Sequence, residues 1–463
     1  MAEKKLIVFG LDCATPQLVF DRWASVLPNL AALRERGISG PLQSCIPPIT
    51  IPAWTCMMTS KNPGKLGCYG FRNRSDYSYD RLSFATSRVI KEPAVWDVLA
   101  RYGKQVILLG IPQTYPPKPV NGVMVSCFLT PDTSSQYTYP PELKHQIAAE
   151  VGDYILDVTH FRTNDKGRLL TQIYEMTEKR FKLFRSFLAH LPWDFAMLVE
   201  MGIDRIHHGF WKFMDPSHPK YEPGTPYENA IRDYYQFIDG KIGEVLSCID
   251  PATAVLVVSD HGAQPMRGGI CINEWLIREG YLHITEKPSG FVPLHKAVID
   301  WNQTRAWGEG GYYSRLFLNV EGREPLGTIP QKDYEKVRTE LKEKLEALGD
   351  EQGKAIGTRV IRPQDVYPVV KGVPPDLIVY FGNLAWRSVG SIGLNTIHTF
   401  ENDTGPDDAN HAEQGIFILC DPARTVDRQQ TFRNGLSLFD VAPTVLSILG
   451  IPVPPDMEGT VIL

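Results

Sequence analysis

The 463-residue sequence lacks the features that mark several large classes of protein. None of its eight cysteines forms a C-x-x-C pair, so neither a zinc knuckle nor a thioredoxin-like motif is supported. Lys and Arg are scattered and the net charge is -5, which gives no reason to expect stable nucleic-acid binding. No apolar run approaches the roughly 18 residues of a membrane span, so a membrane partner is not expected.

The N-terminus also lacks a full secretion signal. Basic residues precede an apolar run, as in a signal peptide, but that run ends at Asp12. A run of about six residues is too short for the apolar region of a signal peptide. A chain of this size needs no disulfide framework, and its cysteines are most simply reduced thiols. We therefore expect a cytoplasmic protein.

Short apolar runs recur along the chain and predict strands that are buried on both faces. Helical patterns lie between them, including PNLAALRERG at 28–37 and a longer one around 167–191. Strand alternating with helix predicts an α/β fold whose mainly parallel central sheet carries helices on both faces. The runs are LIVFG at 6–10, QVILLG at 105–110, FAMLVE at 195–200, AVLVVSD at 254–260, DLIVYF at 376–381 and GIFILC at 415–420.

The segment from about 265 to 400 differs in composition from the rest. It is richer in glycine, proline and aromatic residues, and it contains one amphipathic helical pattern near 331–348. We predict a single catalytic domain over 1–463, with this segment forming a smaller inserted lobe on the substrate side.

Acidic residues follow three of the predicted strands. Asp12, Asp204 and Asp260 each lie at or shortly after the end of an apolar run. Ligands of such sheets bind beyond the carboxyl ends of the strands, so these carboxylates are expected to lie close together. Asp204 and His208 are four residues apart, which places both on one face of a helix.

Each of these pieces has a simpler explanation when it is taken alone. An isolated D-x-x-x-H is more often a surface pair on a helix, an Asp-His after a strand can be a capped turn, and His411 can be a lone surface imidazole. Those explanations must all hold at once, whereas one two-metal site accounts for every piece. Three carboxylates, three imidazoles and a hydroxyl suit two divalent cations, most simply zinc, with manganese or iron as alternatives. The predicted ligands are Asp12, Thr50, Asp204, His208, Asp260, His261 and His411.

Thr50 lies in the proline-rich stretch IPPITIPAW, where Pro47, Pro48 and Pro52 stiffen the backbone. One interpretation makes Thr50 the N-terminal cap of the following helix. Another makes it a nucleophile, and the two are compatible, because a helix N-terminus favours a bound phosphoryl group. A threonine hydroxyl is a poor nucleophile at neutral pH, and metal coordination is one way to activate it.

The order of these motifs resembles the alkaline phosphatase superfamily, and most closely its type I phosphodiesterase/nucleotide pyrophosphatase family. The resemblance runs from GLDCATP through PAWTCMMTSKNPGKLG to FDVAPTVLSILGIPVPPDMEG. It implies that Thr50 is the catalytic nucleophile. It also implies that Asp204, His208 and His411 hold one zinc ion, while Asp12, Asp260 and His261 hold the other with Thr50 beside it.

Two positions depart from the family pattern. Cys13 stands where many relatives have glycine after the metal-binding aspartate, so the packing beside that metal is expected to differ. Phe71 stands roughly where eukaryotic members have an asparagine that steadies the phosphoryl oxygens. Arg72 and Asn73 are the candidate replacements, and the sequence does not choose between them.

The resemblance implies hydrolysis of phosphodiester or nucleotide pyrophosphate bonds in a small substrate. Diesters are expected to be preferred, because no cluster of extra cations is evident near Thr50 in the sequence. Trp54, Tyr69 and Phe71 are candidate walls for a base or sugar, although they are equally explained as core aromatics around a loop. The alternatives are a phosphomonoesterase or phosphotransferase on the same site, and an inactive metal-stabilised binding protein. The intact ligand set argues against the last.

Overall fold

The computed structural model describes residues 4–424 and 431–462. None of the helices in these two ranges is long and apolar enough to cross a membrane. The strands are β1 Leu6–Leu11, β2 Ile38–Gln43, β3 Arg72–Arg74, β4 Leu82–Phe84, β5 Val106–Leu109, β6 Gly122–Val125, β7 Thr138–Tyr139, β8 Phe195–Glu200, β9 Ala254–Val258, β10 Gly262–Pro265, β11 Gly268–Cys271, β12 Ala306–Glu309, β13 Ser314–Leu318, β14 Arg359–Ile361, β15 Leu377–Tyr380, β16 Trp386–Val389, β17 His398–Thr399, β18 Ala409–Ala412, β19 Gln414–Cys420 and β20 Leu436–Ser437.

The helices lie between these strands over most of the chain. They are α1 Pro28–Arg36, α2 Thr50–Thr59, α3 Pro63–Leu66, α4 Val95–Arg101, α5 Leu143–Val151, α6 Lys166–His190, α7 Gly202–Met214, α8 Ala230–Leu246, α9 Ile272–Arg278, α10 Tyr334–Glu346, α11 Pro363–Val366 and α12 Val441–Ile448.

The central sheet has nine strands in the order β20-β2-β19-β9-β1-β8-β5-β6-β7. Most neighbours pair in parallel, whereas β19 and β7 run antiparallel to theirs. Helices cover both faces, so the predicted α/β class and mainly parallel sheet are confirmed. The GIFILC run forms the antiparallel strand β19, a direction that its apolar composition alone does not specify.

The three central strands, β1, β8 and β9, determine where the acidic residues that follow them lie. Every residue of β1, β8 and β9 is buried, as the continuous apolar runs predict. Phe9 of β1 packs on Phe181 and Phe184 of α6, with ring centroids 6.4 and 6.3 Å apart. Because β1 pairs in parallel with both β8 and β9, the three strands end at one edge. That edge is where the acidic residues emerge.

A second apolar cluster lies beside the central sheet. It contains the four-stranded sheet β12-β13-β15-β14 and the three-stranded sheet β16-β11-β17, all within the segment 265–400 proposed as a lobe. The DLIVYF run forms β15 of this antiparallel sheet rather than a central strand, because an apolar run does not select which sheet it joins. Residues before the segment also pack here: Tyr79 stacks on Trp301 with centroids 3.7 Å apart.

Candidate metal centre

Three carboxylates meet at the carboxyl edge of the central strands. Asp12 directly follows β1, and its N–H donates to the carbonyl of Glu200 at the end of β8. Asp260 lies two residues after β9, and Asp204 lies in the first turn of α7. All three aspartates are at most 2% exposed. The three carboxylates therefore lie together at the edge of the sheet that the sequence predicts.

The ligand atoms form two adjoining groups. One group contains Asp12, Asp260 and His261, and the other contains Asp204, His261 and His411. Within each group the ligand atoms lie within 4.8 Å of one another, and His261 belongs to both. The structure thus places His261 between the two candidate cation positions.

His208 joins the second group through Asp204, its neighbour one turn earlier on α7. The Nε2 atom of His208 lies 3.2 Å from Oδ1 of Asp204, and Nε2 of His411 lies 3.7 Å from the same oxygen. His208 and His411, which the resemblance assigns to one ion together with Asp204, therefore both face the same carboxylate oxygen of Asp204.

Each of the three imidazoles is oriented from behind by an oxygen that faces its Nδ1 atom. The acceptors are Asp407 Oδ1 for His208 at 2.6 Å, the Gly262 carbonyl for His261 at 3.1 Å and the Pro48 carbonyl for His411 at 2.9 Å. A ring that donates from Nδ1 presents an unprotonated Nε2, which is the form that binds metals.

Five of the six Asp and His ligands present a buried atom that has no hydrogen-bond partner in the described part of the chain. Buried polar atoms are normally paired, because an unsatisfied one costs free energy. Oxygen and imidazole nitrogen acceptors that face one another without donors fit divalent cations. The atoms are Asp12 Oδ1, Asp204 Oδ1, His208 Nε2, Asp260 Oδ2 and His411 Nε2.

The electrostatics of the carboxylates agree with that fit. Burial, together with the neighbouring carboxylates, raises the pKa values of Asp12 and Asp260 well above the usual range. Burial would also raise the pKa of Asp204, but His208 and Arg205 hold it well below the usual range. The Asp12–Asp260 side is therefore the part of the site that most needs a positive charge to keep both groups ionised.

Thr50 is the first residue of α2 and is 3% exposed. Its hydroxyl lies 3.2 Å from Nε2 of His261, to which it donates because that ring's proton is on Nδ1. The cap position belongs to Ile49, whose backbone is extended, so the prediction that Thr50 caps the helix is wrong. The hydroxyl is instead directed at the metal ligands.

Trp54 lies behind the metal ligands and has no exposed surface. Its indole N–H donates to Oδ2 of Asp12 at 2.6 Å. Gly10 makes room for the ring, because a Cβ at that position would lie 2.5 Å from Cη2 of Trp54. The predicted stacking of Trp54 on a substrate base is therefore wrong, since both ring faces are buried in the core.

The segment that follows α3 is held by its own contacts. Asn73 accepts from the Tyr69 N–H at 2.8 Å and donates to the Gly70 carbonyl at 3.1 Å. Arg72 is exposed and its guanidinium lies 4.7 Å from the Phe84 ring centroid. Neither side chain has a hydrogen bond to Thr50 or to a candidate metal ligand among the described residues, and the oxyanion role of either stays a prediction.

Phe71 is half-buried and lies against Phe128, with ring centroids 6.1 Å apart. Phe128 in turn lies beside the Arg205 guanidinium, which is 5.7 Å from its ring centroid. Phe71 is thus connected through Phe128 to Arg205, which contacts the candidate ligand Asp204. An apolar wall formed by Phe71 stays a prediction.

Cys13 adopts a left-handed backbone conformation, with φ of 67°. Glycine adopts that conformation without steric cost, which accounts for a glycine at this position in many members of the family. The buried Cys13 donates its N–H to Oδ1 of Asp260 at 3.3 Å, and its thiol faces the Gly262 carbonyl at 3.4 Å. The departure from glycine thus leaves the backbone contact with Asp260 in place.

Several residues around the site were not found from the sequence. Asp407 orients His208, and the acidic loop before His411 was the one signal that could have pointed to it. Tyr312 of the proposed lobe stacks on His411 with centroids 4.0 Å apart. Arg205 contacts Asp204 and pairs with Asp157 at 2.6 Å.

The structure also corrects an expectation about charge. The sequence shows no cluster of cations near Thr50, whereas folding gathers three arginines on the His208 side of the metal centre. Arg162 and Arg387 bond to Asp407 at 2.8 and 3.3 Å, and Arg205 contacts Asp204. They come from three distant parts of the chain, so no local pattern could reveal them.

The fold and this ligand set define a phosphoryl hydrolase of the alkaline phosphatase superfamily. A family model described as type I phosphodiesterase / nucleotide pyrophosphatase matches residues 6–407, and the chain belongs to that family. No curated protein sequence matches the chain.

Among solved structures, murine ectonucleotide pyrophosphatase / phosphodiesterase 5 is similar at 12% identity with a TM-score of 0.57, covering 98% of this chain and 96% of that one. An inactive variant of the murine protein, with threonine replaced by alanine, has been solved with AMP. Phosphonoacetate hydrolase from Sinorhizobium meliloti 1021, solved with phosphonoacetate, shows 14% identity, a TM-score of 0.59 and 96% coverage of both chains. At these identities the likeness shows a shared fold.

Proposed function

We propose that the protein hydrolyses phosphodiester or nucleotide pyrophosphate bonds through a phospho-threonine intermediate on Thr50. Membership of the family supports the reaction class. The observation that carries the proposal is the placement of the Thr50 hydroxyl 3.2 Å from His261, beside five buried and unpaired Asp and His ligand atoms. A hydroxyl beside such a ligand set is suited to attack a phosphoryl group.

Two divalent cations are assigned to these ligands, with zinc as the first choice and manganese or iron as alternatives. Asp204, His208 and His411 are assigned to one ion. Asp12, Asp260 and His261 are assigned to the other, and Thr50 lies beside that group. When bound, the ions supply activation of the hydroxyl and neutralisation of phosphoryl oxygen charge, a contribution of several kcal/mol.

The position of Thr50 at the start of α2 serves the attack. The first N–H groups of a helix have no acceptor within it, so those of Thr50 and Ile51 are left for a ligand at the end of α2 where the Thr50 hydroxyl lies, whereas Pro52 has no N–H. Such groups and the helix dipole favour an anion. We assign them the oxyanion role that the sequence left open between Arg72 and Asn73.

In the proposed reaction the Thr50 oxygen bonds to phosphorus as the bond to the leaving group breaks. Water then hydrolyses the phospho-threonine and releases the phosphoryl product. The Pro48 carbonyl orients His411, and the Trp54 indole orients Asp12. The loop and the helix on either side of Thr50 therefore also position the residues around it. Because of this coupling the nucleophile and the ligands keep a fixed geometry.

A phosphomonoesterase or phosphotransferase activity is the second candidate. The observation that favours it is the group of arginines on the His208 side, since a dianionic monoester benefits from additional fixed positive charge. The family description favours the diester and pyrophosphate reactions, and the arginines are also consistent with a pyrophosphate substrate.

The test is substitution of the nucleophile in metal-loaded protein. Thr50→Ala should keep its metal content and fold but lose kcat by about three orders of magnitude or more, because no other hydroxyl takes its place. Thr50→Ser should retain part of the activity and accumulate a phospho-serine on rapid quenching. An alanine variant that turns over at nearly the wild-type rate would instead indicate direct attack by water.

A further inference from the structure

Tyr312 lies against the candidate metal ligands, in the connection between β12 and β13. It is partly buried, and its ring stacks on His411 at 4.0 Å and on His208 at 5.0 Å. His261 stacks on His411 at 3.7 Å, and one ring face cannot accept both neighbours. His411 therefore lies between His261 and Tyr312, with Thr50 at the His261 end of the column.

Arg162 is fixed beside the tyrosine hydroxyl. Its Nη2 atom donates to that hydroxyl at 2.6 Å, and its Nε donates to Oδ2 of Asp407 at 2.8 Å. Asp407 is in turn fixed by His208 and Arg387. The guanidinium is thus anchored on two sides before any ligand arrives, which lowers the cost of ordering it on binding.

Two hydrogen-bond donors remain unused at this point. Within the described residues, Nη1 of Arg162 has no acceptor, and the Tyr312 hydroxyl accepts from Arg162 without an acceptor for its own proton. Nη1 of Arg162 is not among the buried unpaired atoms, and the Arg162 side chain is 18% exposed, so this donor reaches solvent. The Tyr312 hydroxyl is bonded to the same guanidinium group.

The surroundings of this point are rich in guanidinium groups. They belong to Arg162, Arg205 and Arg387, and the carboxylates of Asp157 and Asp407 pair with them, while Asp403 also lies near Arg387. An anion beside Arg162 would meet the free side of its guanidinium fork, the geometry that carboxylates and phosphates match.

We propose that Arg162 and Tyr312 form a subsite for a second anionic group of the substrate, a carboxylate or a phosphoryl group that is joined to the reacting phosphorus by a short linker. This inference rests on the proposed function and deepens it. A pyrophosphate bond carries such a neighbouring group, whereas a simple dialkyl phosphodiester does not. The alternative role for Arg162 is purely structural, as a counter-charge to Asp407.

Measuring the binding of small phosphonates distinguishes the subsite from the purely structural role of Arg162. Isothermal titration calorimetry on the metal-loaded Thr50→Ala protein would use methylphosphonate, phosphonoacetate and methylenediphosphonate, which differ in the second group. At least one of the last two should bind about tenfold more tightly than methylphosphonate. Tighter binding of phosphonoacetate alone identifies a carboxylate, and of methylenediphosphonate alone a phosphoryl group.

Two further substitutions in the Thr50→Ala protein test whether Tyr312 and Arg162 cause the tighter binding of the probes with a second anionic group. Tyr312→Phe keeps the ring stacking but removes the donor, and should reduce the preference several-fold. Arg162→Gln should reduce it to near unity, with methylphosphonate binding changed less than about twofold. Arg359→Gln is the matched control, because Arg359 is an exposed arginine that pairs with Glu413; it should leave the preference intact.

Equal affinities for the three probes would overturn the inference, as would a preference that survives both Tyr312→Phe and Arg162→Gln. A preference that Arg359→Gln abolishes equally would show a diffuse charge effect and would also overturn it. Because Tyr312→Phe keeps the pairing of Arg162 with Asp407, it remains decisive if Arg162→Gln misfolds. Wild-type hydrolysis is measured separately. Equal affinities for the three probes in the Thr50→Ala protein, with intact wild-type hydrolysis, count against the subsite alone, whereas a preference without wild-type hydrolysis counts against the proposed function alone.

Discussion

The indole N–H of Trp54 donates to one carboxylate oxygen of Asp12 at 2.6 Å and leaves the other oxygen unpaired and directed at the metal centre. The hydrogen bond selects which oxygen of Asp12 can bind a cation. It also joins the middle of α2 to the end of β1, so the helix that begins with Thr50 is fixed to a candidate metal ligand. Outer contacts of this kind orient the ligands they touch.

Trp54→Phe should therefore weaken metal binding rather than substrate stacking. The variant keeps most of the apolar volume but frees Asp12 Oδ2, and the affinity for metal should fall about 10- to 100-fold. Titration of the metal-free protein with zinc, with a competing chelator, measures this. Trp193→Phe is the control, since its indole bonds to the Leu188 carbonyl. Unchanged affinity in Trp54→Phe would mean that Asp12 is oriented by other contacts.

Metal content tests the ligand set directly. The purified protein should contain about two equivalents of zinc, or of manganese or iron where these are supplied. Asp260→Ala should lose metal and hydrolytic activity together, because Asp260 faces Asp12 and His261 in one ligand group. The exposed Asp21→Ala variant should keep both. Full activity in a protein shown to hold no metal after chelation would contradict the two-metal proposal.

Asp408 should make stability fall as pH rises. Burial raises the pKa of Asp408 to about 7, and its Oδ2 has no hydrogen-bond partner within the described residues. Between the unfolded value of about 3.9 and this folded value, the folded protein binds one proton more than the unfolded chain. The stabilising contribution is therefore complete below about pH 3.9 and is lost as pH rises to about 7.

Asp408→Asn removes that titration while conserving shape. The variant should match the wild type at pH 5 more closely than at pH 8, where it should be the more stable protein by no more than about 4 kcal/mol. Thermal unfolding midpoints at the two pH values measure the difference. Asp250→Asn, at an exposed position, should show no such pH-dependent gain. A gain in Asp408→Asn that is equal at both pH values would contradict the assigned titration.

A substrate panel should decide the reaction class. Aryl nucleotide diesters and nucleotide pyrophosphates should give higher kcat/KM values than aryl monoesters or aryl sulfates with the zinc-loaded protein. The reason is that the family description names diester and pyrophosphate cleavage, and the proposed Arg162 subsite would favour a second anionic group, which an aryl sulfate lacks. A clear preference for an aryl monoester over its matched diester would establish the phosphatase alternative.

The sequence by itself determined the α/β class and the list of candidate ligands. Buried parallel strands appear in the sequence as continuous apolar runs. The residue that follows such a strand lies at the ligand-binding edge of the sheet, independently of the other elements of the fold. Asp12 and Asp260 could be placed by that rule. Asp204 and His208 could be paired because helical spacing is a local property of the chain.

Only the tertiary structure decided what surrounds those ligands. Trp54 lies near Thr50 in the sequence, but its burial against Gly10 depends on how α2 packs on β1. Tyr312 and Arg162 are 150 residues apart and meet at one hydroxyl. Long-range contacts between side chains have no periodic signature, because they depend on the relative placement of whole elements rather than on local spacing.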